Sequence, residues 1–192
     1  MTGVMLYGSL LPAKLLELLR ETVPGAKLIA ILGNPNTPDS VSKSDAQQVA
    51  DLAEALRQRI LVLNASSVQE LEPAFATMIR QGTDALLVMN DPFLDGQRAK
   101  LVALANERAI PAIYAYREFA KLGGLMSYGI NIAESYHQLG LYAGKVLNGA
   151  NPAELPVLQP TKFDLVINLK TAKSLNLIIS PTLLARADEV IE

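Results

Sequence analysis

The stretch that decides the fold lies in the middle of the chain, where residues 84–116 read DALLVMNDPFLDGQRAKLVALANERAIPAIYAY. Its two ends, residues 84–90 and 110–116, are apolar at nearly every position, which is typical of strands covered on both faces of a sheet. The segment between them, residues 95–109, has the apolar spacing of an amphipathic helix. A strand, a helix and a second strand in this order predict a βαβ unit with parallel strands.

The same alternation continues on both sides of this unit. Before it, the pattern predicts helices at residues 9–25, 42–59 and 68–82 and strands at residues 26–32 and 60–67. After it, the pattern predicts strands at residues 124–127 and 163–169 and helices at residues 132–149, 170–177 and 180–191. We therefore predict an α/β fold, a doubly wound parallel sheet with helices on both faces and right-handed crossovers.

The composition excludes several classes of function. The 192 residues are half apolar and carry a formal net charge of -2, so no strong field attracts nucleic acid or an anionic membrane. The chain has no cysteine, and its single histidine, His137, cannot form a His-rich metal centre. No segment approaches the ~18 consecutive apolar residues of a transmembrane helix. We predict no metal site, no cofactor and no nucleic-acid partner.

Polar and aromatic residues cluster where the predicted strands end. In an open parallel sheet, ligands bind outside the carboxyl ends of the strands. The residues near those ends that suit a ligand are Asn34, Asn36, Asn64, Ser66, Asp91, Tyr114, Tyr116, Ser127 and Tyr128. Because these ends meet at one edge of the sheet, the sequence predicts a pocket for a small molecule there.

Asp91 is the most informative charge at this edge, because it follows an apolar strand and precedes Pro92, which stiffens the turn. Its carboxylate either grips a ligand ammonium group or caps the helix that begins near Gly96. Asn34 and Asn36 either donate hydrogen bonds to ligand oxygens or form a turn of their own. The tyrosines suit a partly wet pocket, since each combines an apolar ring with a polar tip.

Ser127 raises the question of catalysis, because it lies in the stretch GGLMSYG at residues 123–129. A nucleophile elbow needs glycine two positions before the serine, where this chain has Leu125. The base would have to be His137, which falls inside a predicted helix without an obvious orienting acid. No glycine motif that cradles phosphate follows a strand. We therefore predict no catalytic residues.

Four stretches carry a family resemblance. They are AKLIAILGNPNTPDS at residues 26–40, LLVMNDPF at 86–93, AIPAIYAYREFAKLGGLMSYG at 109–129, and a long run at 151–191 that begins NPAELPVLQPTKFDLVINL. In these stretches the chain closely resembles the ABC-transporter substrate-binding proteins of the tryptophan/tyrosine type, and the resemblance covers essentially the whole chain. It implies a type I periplasmic-binding-protein fold, in which two doubly wound lobes joined by three crossovers close on a small ligand.

The resemblance also implies how the chain is divided. Residues 1–8 are expected to be a remnant of the first crossover and residues 9–127 the ligand-binding second lobe. Residues 128–162 are expected to be a return segment with a first-lobe helix and a strap, and residues 163–192 a strand and helices that rejoin the second lobe. The fold class is then a Rossmann-like second lobe with remnants of the first, most of which has no counterpart here. Gly129 is the expected hinge.

For function, the resemblance implies a solute-binding component of an ABC uptake transporter. Such a protein captures an amino-acid-like ligand without covalent chemistry and delivers it to the transporter permease. The expected ligand contacts are Asp91 for the ammonium group, Ser127 and Asn34 for the carboxylate, and Tyr114 or Tyr128 for the side chain. We expect a periplasmic product if a leader peptide is present and a cytoplasmic one if Met1 is the natural start.

Two other classes of function stay open. The helix at residues 131–149 has an apolar face whose burial is energetically favourable, so we expect a homo-oligomer. A regulatory or interaction domain that oligomerises through this helix is therefore one alternative. A Rossmann-like enzyme is the other, and it would need a second polar cluster that the sequence does not show.

Overall fold

The computed structural model describes residues 2–4, 11–37, 39–158 and 162–192. Parts of three sequence-based expectations fall outside the described residues. They concern the crossover remnant at 1–8, the start of the helix predicted at 9–25, and residues 159–161 of the strap.

The described strands are β1 (Gly3–Val4), β2 (Leu28–Gly33), β3 (Arg59–Asn64), β4 (Ala85–Val88), β5 (Ala112–Tyr114), β6 (Met126–Ile130), β7 (Val157–Leu158), β8 (Phe163–Asn168) and β9 (Glu189–Ile191). The described helices are α1 (Leu11–Thr22), α2 (Asp39–Ala55), α3 (Val68–Gln81), α4 (Pro92–Gly96), α5 (Arg98–Glu107), α6 (Arg117–Lys121), α7 (Ile132–Leu147), α8 (Leu169–Ser174) and α9 (Pro181–Ala185). Strands and helices alternate through most of the chain, as the apolar pattern predicts.

Seven of the strands form one twisted sheet in the order β3-β2-β4-β5-β6-β8-β9. Every neighbouring pair in it is parallel except β6 and β8, which are antiparallel. The predicted α/β sheet is thus confirmed, with one antiparallel pairing that the sequence did not indicate. The reason is that Phe163, at the start of β8, pairs with Ile130, at the end of β6. A strand that enters the sheet where its neighbour leaves it must run in the opposite direction.

Helices cover both faces of this sheet, and the apolar runs of the inner strands explain why. In β2, Ile29 and Ile31 pack into one core cluster with leucines of α1, while Ala30 and Leu32 pack into a second cluster with Phe75 of α3. Successive side chains of a strand point to opposite faces, so a strand between two helical layers must be apolar throughout. This arrangement is the doubly wound architecture predicted from the sequence.

Several short elements differ from the sequence-based expectation. The five-residue helices α4 and α6 begin shortly after β4 and β5, whereas the pattern starts a helix only at residue 95 and predicts none at residues 117–121. The helix predicted at 180–191 ends at Ala185, and Glu189–Ile191 forms the edge strand β9 beside β8. The carboxylate of Asp188 accepts a hydrogen bond from the Leu165 backbone N–H at 2.8 Å, which draws this segment onto the sheet.

A second, two-stranded sheet lies outside the main one. In it β1 pairs with β7 in parallel, and Thr2 Oγ1 donates a hydrogen bond to the Pro156 carbonyl at 3.2 Å. The segment from α7 to β7 therefore leaves the seven-stranded sheet after β6 and returns to it at β8. The division of the chain at 1–8, 9–127, 128–162 and 163–192 stays a prediction. None of the described helices has the length and apolarity needed to cross a bilayer.

Candidate functional site

A cavity of about 430 Å³ lies at the carboxyl ends of β4 and β5, between that edge of the sheet and α7. Its lining residues are Asn90, Pro92, Asp95, Arg98, Tyr116, Glu118, Ile132 and Tyr136. The volume falls within the range of small-molecule sites, roughly 300 to 1,000 Å³. The position is the one expected for a ligand in an open α/β sheet.

The sheet wall of the cavity is shaped by the turn that follows β4. Asp91 is the N-cap of α4, and Oδ1 of its carboxylate accepts hydrogen bonds from the Phe93 N–H at 2.8 Å and the Leu94 N–H at 3.1 Å. Pro92 takes the first helical position, where its missing N–H costs nothing. This cap starts α4 at once after the strand and places Asp95, four residues on, in the cavity wall.

The Asp91 carboxylate has two further partners. Oδ1 also accepts from Asn34 Nδ2 at 3.1 Å, and Oδ2 accepts from Thr37 Oγ1 at 2.7 Å. Asp91 is only 4% exposed and does not line the 430 Å³ cavity. Of the two readings that the sequence left open, the structure shows the cap, on a helix that begins at Pro92 and not near Gly96.

Charged groups on α4 and α5 form an ion pair in the wall. Arg98 Nη2 lies 2.9 Å from Asp95 Oδ2, and Arg98 Nε donates to the Asp95 carbonyl at 2.9 Å. Glu118 of α6 adds a second carboxylate to the lining. The lining thus carries one more acid than base, so it can attract an ammonium group and still present a guanidinium to a carboxylate.

Tyr116 is the one sequence-predicted site residue among those that line this cavity. It follows β5 and is half-buried. Burial raises the pKa of the Tyr116 phenol, a hydrogen bond with the Asn90 side chain lowers it, and the negative charges of Asp95 and Glu118 raise it again. The phenol therefore stays protonated at neutral pH and can donate a hydrogen bond.

The opposite wall belongs to the first turns of α7, through Ile132 and Tyr136. Tyr136 is 62% exposed, so its ring is free to meet a ligand. Asn131 caps this helix, because its Oδ1 accepts from the Glu134 N–H at 3.0 Å. The cavity therefore has an aromatic ring on each side, Tyr116 on the sheet wall and Tyr136 on the helix wall.

Tyr114 and Ser127 lie deeper than the sequence-based expectation placed them. Their backbones pair in register on β5 and β6, and the side chains are 1% and 0% exposed. The Tyr114 ring stacks on Phe119 with centroids 4.4 Å apart. Within the described part of the chain, neither hydroxyl has a hydrogen-bond partner. Burial raises the pKa of the Tyr114 phenol far above its ordinary value.

The other predicted residues are engaged locally. The Asn36 N–H donates to Asn34 Oδ1 at 3.0 Å, which is the self-contained turn that the sequence left as an alternative. Ser66 donates to Glu70 Oε2 through its backbone N–H at 2.7 Å, and these bonds lower the pKa of the Glu70 carboxyl. Asn64 is exposed at the end of the edge strand β3. The Tyr128 ring stacks on Phe163 at 5.7 Å.

Gly129 is required by a close contact of the backbone. A Cβ atom on this residue would lie 1.8 Å from the Ala115 carbonyl oxygen, a distance that no side chain tolerates. Gly129 lies inside β6 opposite Asp164 of β8, at the point where the chain passes toward α7. The need for glycine here is steric, and the hinge role stays a prediction.

Seven lining residues of the cavity were not predicted from the sequence. Asn90, Pro92, Asp95 and Arg98 lie in or beside α4 and α5, Glu118 lies on α6, and Ile132 and Tyr136 lie on α7. The signal that could have pointed to Asp95 is its place in the segment after β4, beside Asp91. No group of three or more His, Asp or Glu residues in the described ranges is arranged to hold a metal ion.

The chain is similar to several known proteins. The sequence profile of the family described as "ABC transporter substrate binding protein" matches residues 1–191. A curated tyrosine-binding protein of Clostridioides difficile (strain R20291) is 26% identical over 164 residues, which are 85% of this chain and 47% of that protein.

Solved structures show the same fold. A conserved domain protein from Vibrio cholerae superposes with a TM-score of 0.85 at 23% identity, covering 98% of this chain and 62% of that one. The ABC domain of Streptococcus pneumoniae in complex with L-Trp gives a TM-score of 0.82 at 24% identity, over 94% of this chain and 60% of that one. The ligand-free, open structure of an adhesive substrate-binding protein from Clostridium difficile gives 0.71 at 23% identity.

The chain therefore spans about half the length of its curated relative and about 60% of these solved chains. The predicted type I periplasmic-binding-protein fold is confirmed by these likenesses, and the predicted family by the profile match along nearly the entire sequence. The chain belongs to the ABC transporter substrate-binding protein family.

Proposed function

We propose that this chain captures an aromatic amino acid, without covalent chemistry, in the cavity between the sheet edge and α7. The observation that carries this proposal is the lining of the 430 Å³ cavity, which combines two tyrosines with two carboxylates and one guanidinium. These are the groups that complement an aromatic ring, an ammonium group and a carboxylate. A curated relative named for tyrosine binding and a solved relative that holds L-Trp support this choice of ligand.

We assign the polar contacts by charge. The ligand ammonium lies near Asp95 and Glu118, and the ligand carboxylate lies near Arg98. This moves the ammonium contact away from Asp91, because that carboxylate is 4% exposed and already accepts four hydrogen bonds. Asp91 then acts on the site indirectly, by capping α4 and holding Asn34.

The ligand side chain lies between Tyr116 and Tyr136. An aromatic ring between two tyrosines gains burial and stacking, which are worth ~0.5–1.5 kcal/mol per ring pair beyond area burial. Tyr114, Tyr128 and Ser127, which the sequence suggested as contacts, support the strands beneath the site. Ser127 is fully buried and His137 is exposed on α7, so no nucleophile and base meet here.

Isothermal titration of the chain with tryptophan, tyrosine and phenylalanine tests this proposal. We expect binding of at least one of the three. Arg98→Gln should weaken it by about 10-fold to 100-fold, the value of a hydrogen bond between charged groups. Arg80→Gln is the matched control, since Arg80 lies at the end of α3 and bonds Thr77, away from the cavity. Absence of binding to all three amino acids, or equal affinities for the two variants, refutes the proposed site.

The family membership supports a wider role. We propose that the bound amino acid is delivered to the permease of an ABC uptake transporter, outside the cytoplasm. A binding protein favours the closed arrangement of its walls only by the difference in ligand affinity between open and closed forms. Uptake of labelled amino acid by membrane vesicles that contain the permease should depend on added binding protein. Uptake that is equally fast without the added binding protein contradicts this role.

A second candidate function, association of two copies through α7, is favoured by one observation. Leu141, Val146 and Leu147 on this helix are 48%, 37% and 86% exposed. Gly140 and Gly144 have open space beside them, so another helix can approach the backbone closely. We propose a second copy of this chain as the occupant. Light scattering that shows a monomer at micromolar concentration contradicts it.

A further inference from the structure

A hydrogen-bonded network joins the two walls of the cavity, and its centre is Asp164 at the start of β8. The Asp164 side chain is 7% exposed. Asn131 Nδ2 donates to its Oδ2 at 2.7 Å, and Arg117 Nη1 donates to the same oxygen at 3.3 Å. A buried carboxylate needs such partners, because an unpaired charge in the interior is strongly destabilising.

The two hydrogen-bond donors to Asp164 belong to different walls, while the exposed Lys162 lies 3.9 Å from its other oxygen. Arg117 lies between Tyr116 and Glu118, which both line the cavity on the sheet side. Its Nη2 also forms an ion pair with Glu189 of β9, so the guanidinium is held from two directions. This end of the network is therefore fixed to the seven-stranded sheet.

Asn131 belongs to the helix wall. Its Oδ1 caps the first turn of α7 through the Glu134 N–H at 3.0 Å, and its carbonyl accepts from Ser135 Oγ at 3.0 Å. The Asn131 side chain thus accepts a hydrogen bond from α7 through its oxygen and donates one to Asp164 through its amide nitrogen. A rotation of α7 relative to the sheet has to break or stretch the bond from Asn131 to Asp164.

Among the described elements, α7 packs little against the main sheet. Its buried residues are Ser135 and Tyr142, and its principal neighbour among the described elements is the short strand β1. The backbone connection runs through β6 and β8, where Gly129 pairs with Asp164. An antiparallel pair of strands can twist. A side-chain hydrogen bond between the start of α7 and β8 therefore limits how far the helix can rotate relative to the sheet.

We propose that Asn131 and Asp164 are positioning residues for ligand binding, which hold the α7 wall at the distance from the sheet wall that the ligand requires. This inference rests on the proposed function for its effect on affinity, but the geometric part stands on the network alone. Arg117 fixes the Asp164 carboxylate, and the amide of Asn131 transmits that position to Ile132 and Tyr136.

The test uses variants that keep the helix cap and remove only the amide donor. Asn131→Ser retains a good N-cap but has no amide nitrogen to reach Asp164, and Asn131→Asp retains the cap but places two carboxylates together. The double change Asn131→Asp with Asp164→Asn restores a donor and an acceptor in reversed order. Asn151→Ser is the matched control, because Asn151 also caps a turn and donates to a carboxylate, Glu154, at 3.2 Å in an exposed segment.

The primary readout is the distance between a spin label on α7 and one on α5, a helix that packs on the main sheet, measured without ligand. The chain has no cysteine, so labels can be placed at Ala143→Cys on α7 and Ala103→Cys on α5, both exposed sites. We expect a narrow distance distribution in the parent and in Asn151→Ser. It should be broadened or shifted in Asn131→Ser and Asn131→Asp, and narrow again in the double variant.

The second readout is affinity for the amino acid that the parent binds. We expect Asn131→Ser to weaken binding about 10-fold or more, the effect of losing one hydrogen bond to a charged group, mainly through faster dissociation. Its thermal midpoint should lie below that of Asn151→Ser, because the 7% exposed Asp164 carboxylate loses a donor, whereas the Glu154 carboxylate is exposed to water. If the parent binds no amino acid, the proposed function fails, while the label distances still decide this proposal. Unchanged distances in both single variants at Asn131 overturn it.

Discussion

Asp91→Ala is the substitution whose outcome best separates a structural carboxylate from a ligand contact. The structure gives Asp91 two capping bonds to backbone N–H groups of α4 and two bonds from the side chains of Asn34 and Thr37. Loss of an N-cap costs roughly 0.5–2 kcal/mol, and hydrogen bonds to a charged group are worth ~1.5–3 kcal/mol each. Because these bonds share one carboxylate they do not add, and we expect a loss of about 3–4 kcal/mol in the free energy of unfolding.

Asp91→Asn should behave differently. Asparagine is as good an N-cap as aspartate, and its one carbonyl oxygen can still accept from the Phe93 and Leu94 N–H groups. It loses the charge and the acceptor for Thr37, so we expect a smaller loss of roughly 1–2 kcal/mol. Urea unfolding at pH 7, followed by circular dichroism, gives both values and shows whether the slope with denaturant is unchanged.

The same two variants test the site assignment. Folded Asp91→Asn should keep the parent's amino-acid affinity within about threefold, because the carboxylate does not line the cavity. Asp95→Asn is the matched comparison, with the opposite expectation of weak binding and nearly unchanged stability, since its ion pair with Arg98 is partly exposed. Two results refute the reasoning. One is a loss below about 1 kcal/mol in Asp91→Ala, and the other is abolished binding in stable Asp91→Asn.

Three further changes test other parts of the structure. Tyr114→Phe removes a buried hydroxyl without a described partner, so stability at pH 7 should stay equal or rise. The raised phenol pKa means that the folded state holds this proton more tightly than the unfolded state, whose pKa is about 10. Stability of the parent should therefore fall as pH rises above about 10, and urea midpoints of Tyr114→Phe should fall less. A steeper fall contradicts the assignment. Gly129→Ala should lose about 3 kcal/mol or more in urea unfolding, because its Cβ would meet the Ala115 carbonyl at 1.8 Å. Its control Gly25→Ala, in open space after α1 and without a positive φ, should gain ~0.4–1 kcal/mol, and equal effects would dismiss the steric argument. Leu147→Glu should shift light scattering from dimer to monomer, and an unchanged dimer excludes this face as the interface.

The central sheet was accessible from the sequence because its signal is local. The apolar run in β4 and the helical spacing in α5 report burial on both faces of a strand and on one face of a helix. The direction of β8 was not accessible in this way. It depends on where the chain re-enters the sheet after α7, which is a property of the whole path.

The site was only partly accessible for a related reason. Tyr116 could be found because it follows a strand, and strand ends converge at one edge of the sheet. Asp95 and Arg98 fall inside a segment predicted as one helix, where an acid and a base three residues apart look like a solvent-facing pair. Tyr136 joins the cavity only through the docking of α7, which no periodicity reports.

Sequence also misassigned depth along the strands. Tyr114 ends β5 but is covered by the ring of Phe119, and Ser127 is the second of the five residues of β6, where it is fully buried. The short helix α6 that supplies Phe119 begins only two residues after β5 ends. This short helix covers the end of β5. A pattern of apolar runs in the sequence does not reveal such a cover.

The antiparallel meeting of β6 and β8 has a consequence for how this architecture can be rebuilt. Ile130 and Phe163 are paired partners, so the excursion through α7 and β7 departs and comes back at adjacent points, with Cα atoms about 4.5–5.5 Å apart. The segment through α7 and β7 is thus inserted at a single point of the main sheet, between Ile130 and Phe163. We expect that a tight hairpin turn joining Ile130 to Phe163 would keep every strand pairing of the main sheet. We also expect this point to accept another inserted domain without changes to the sheet.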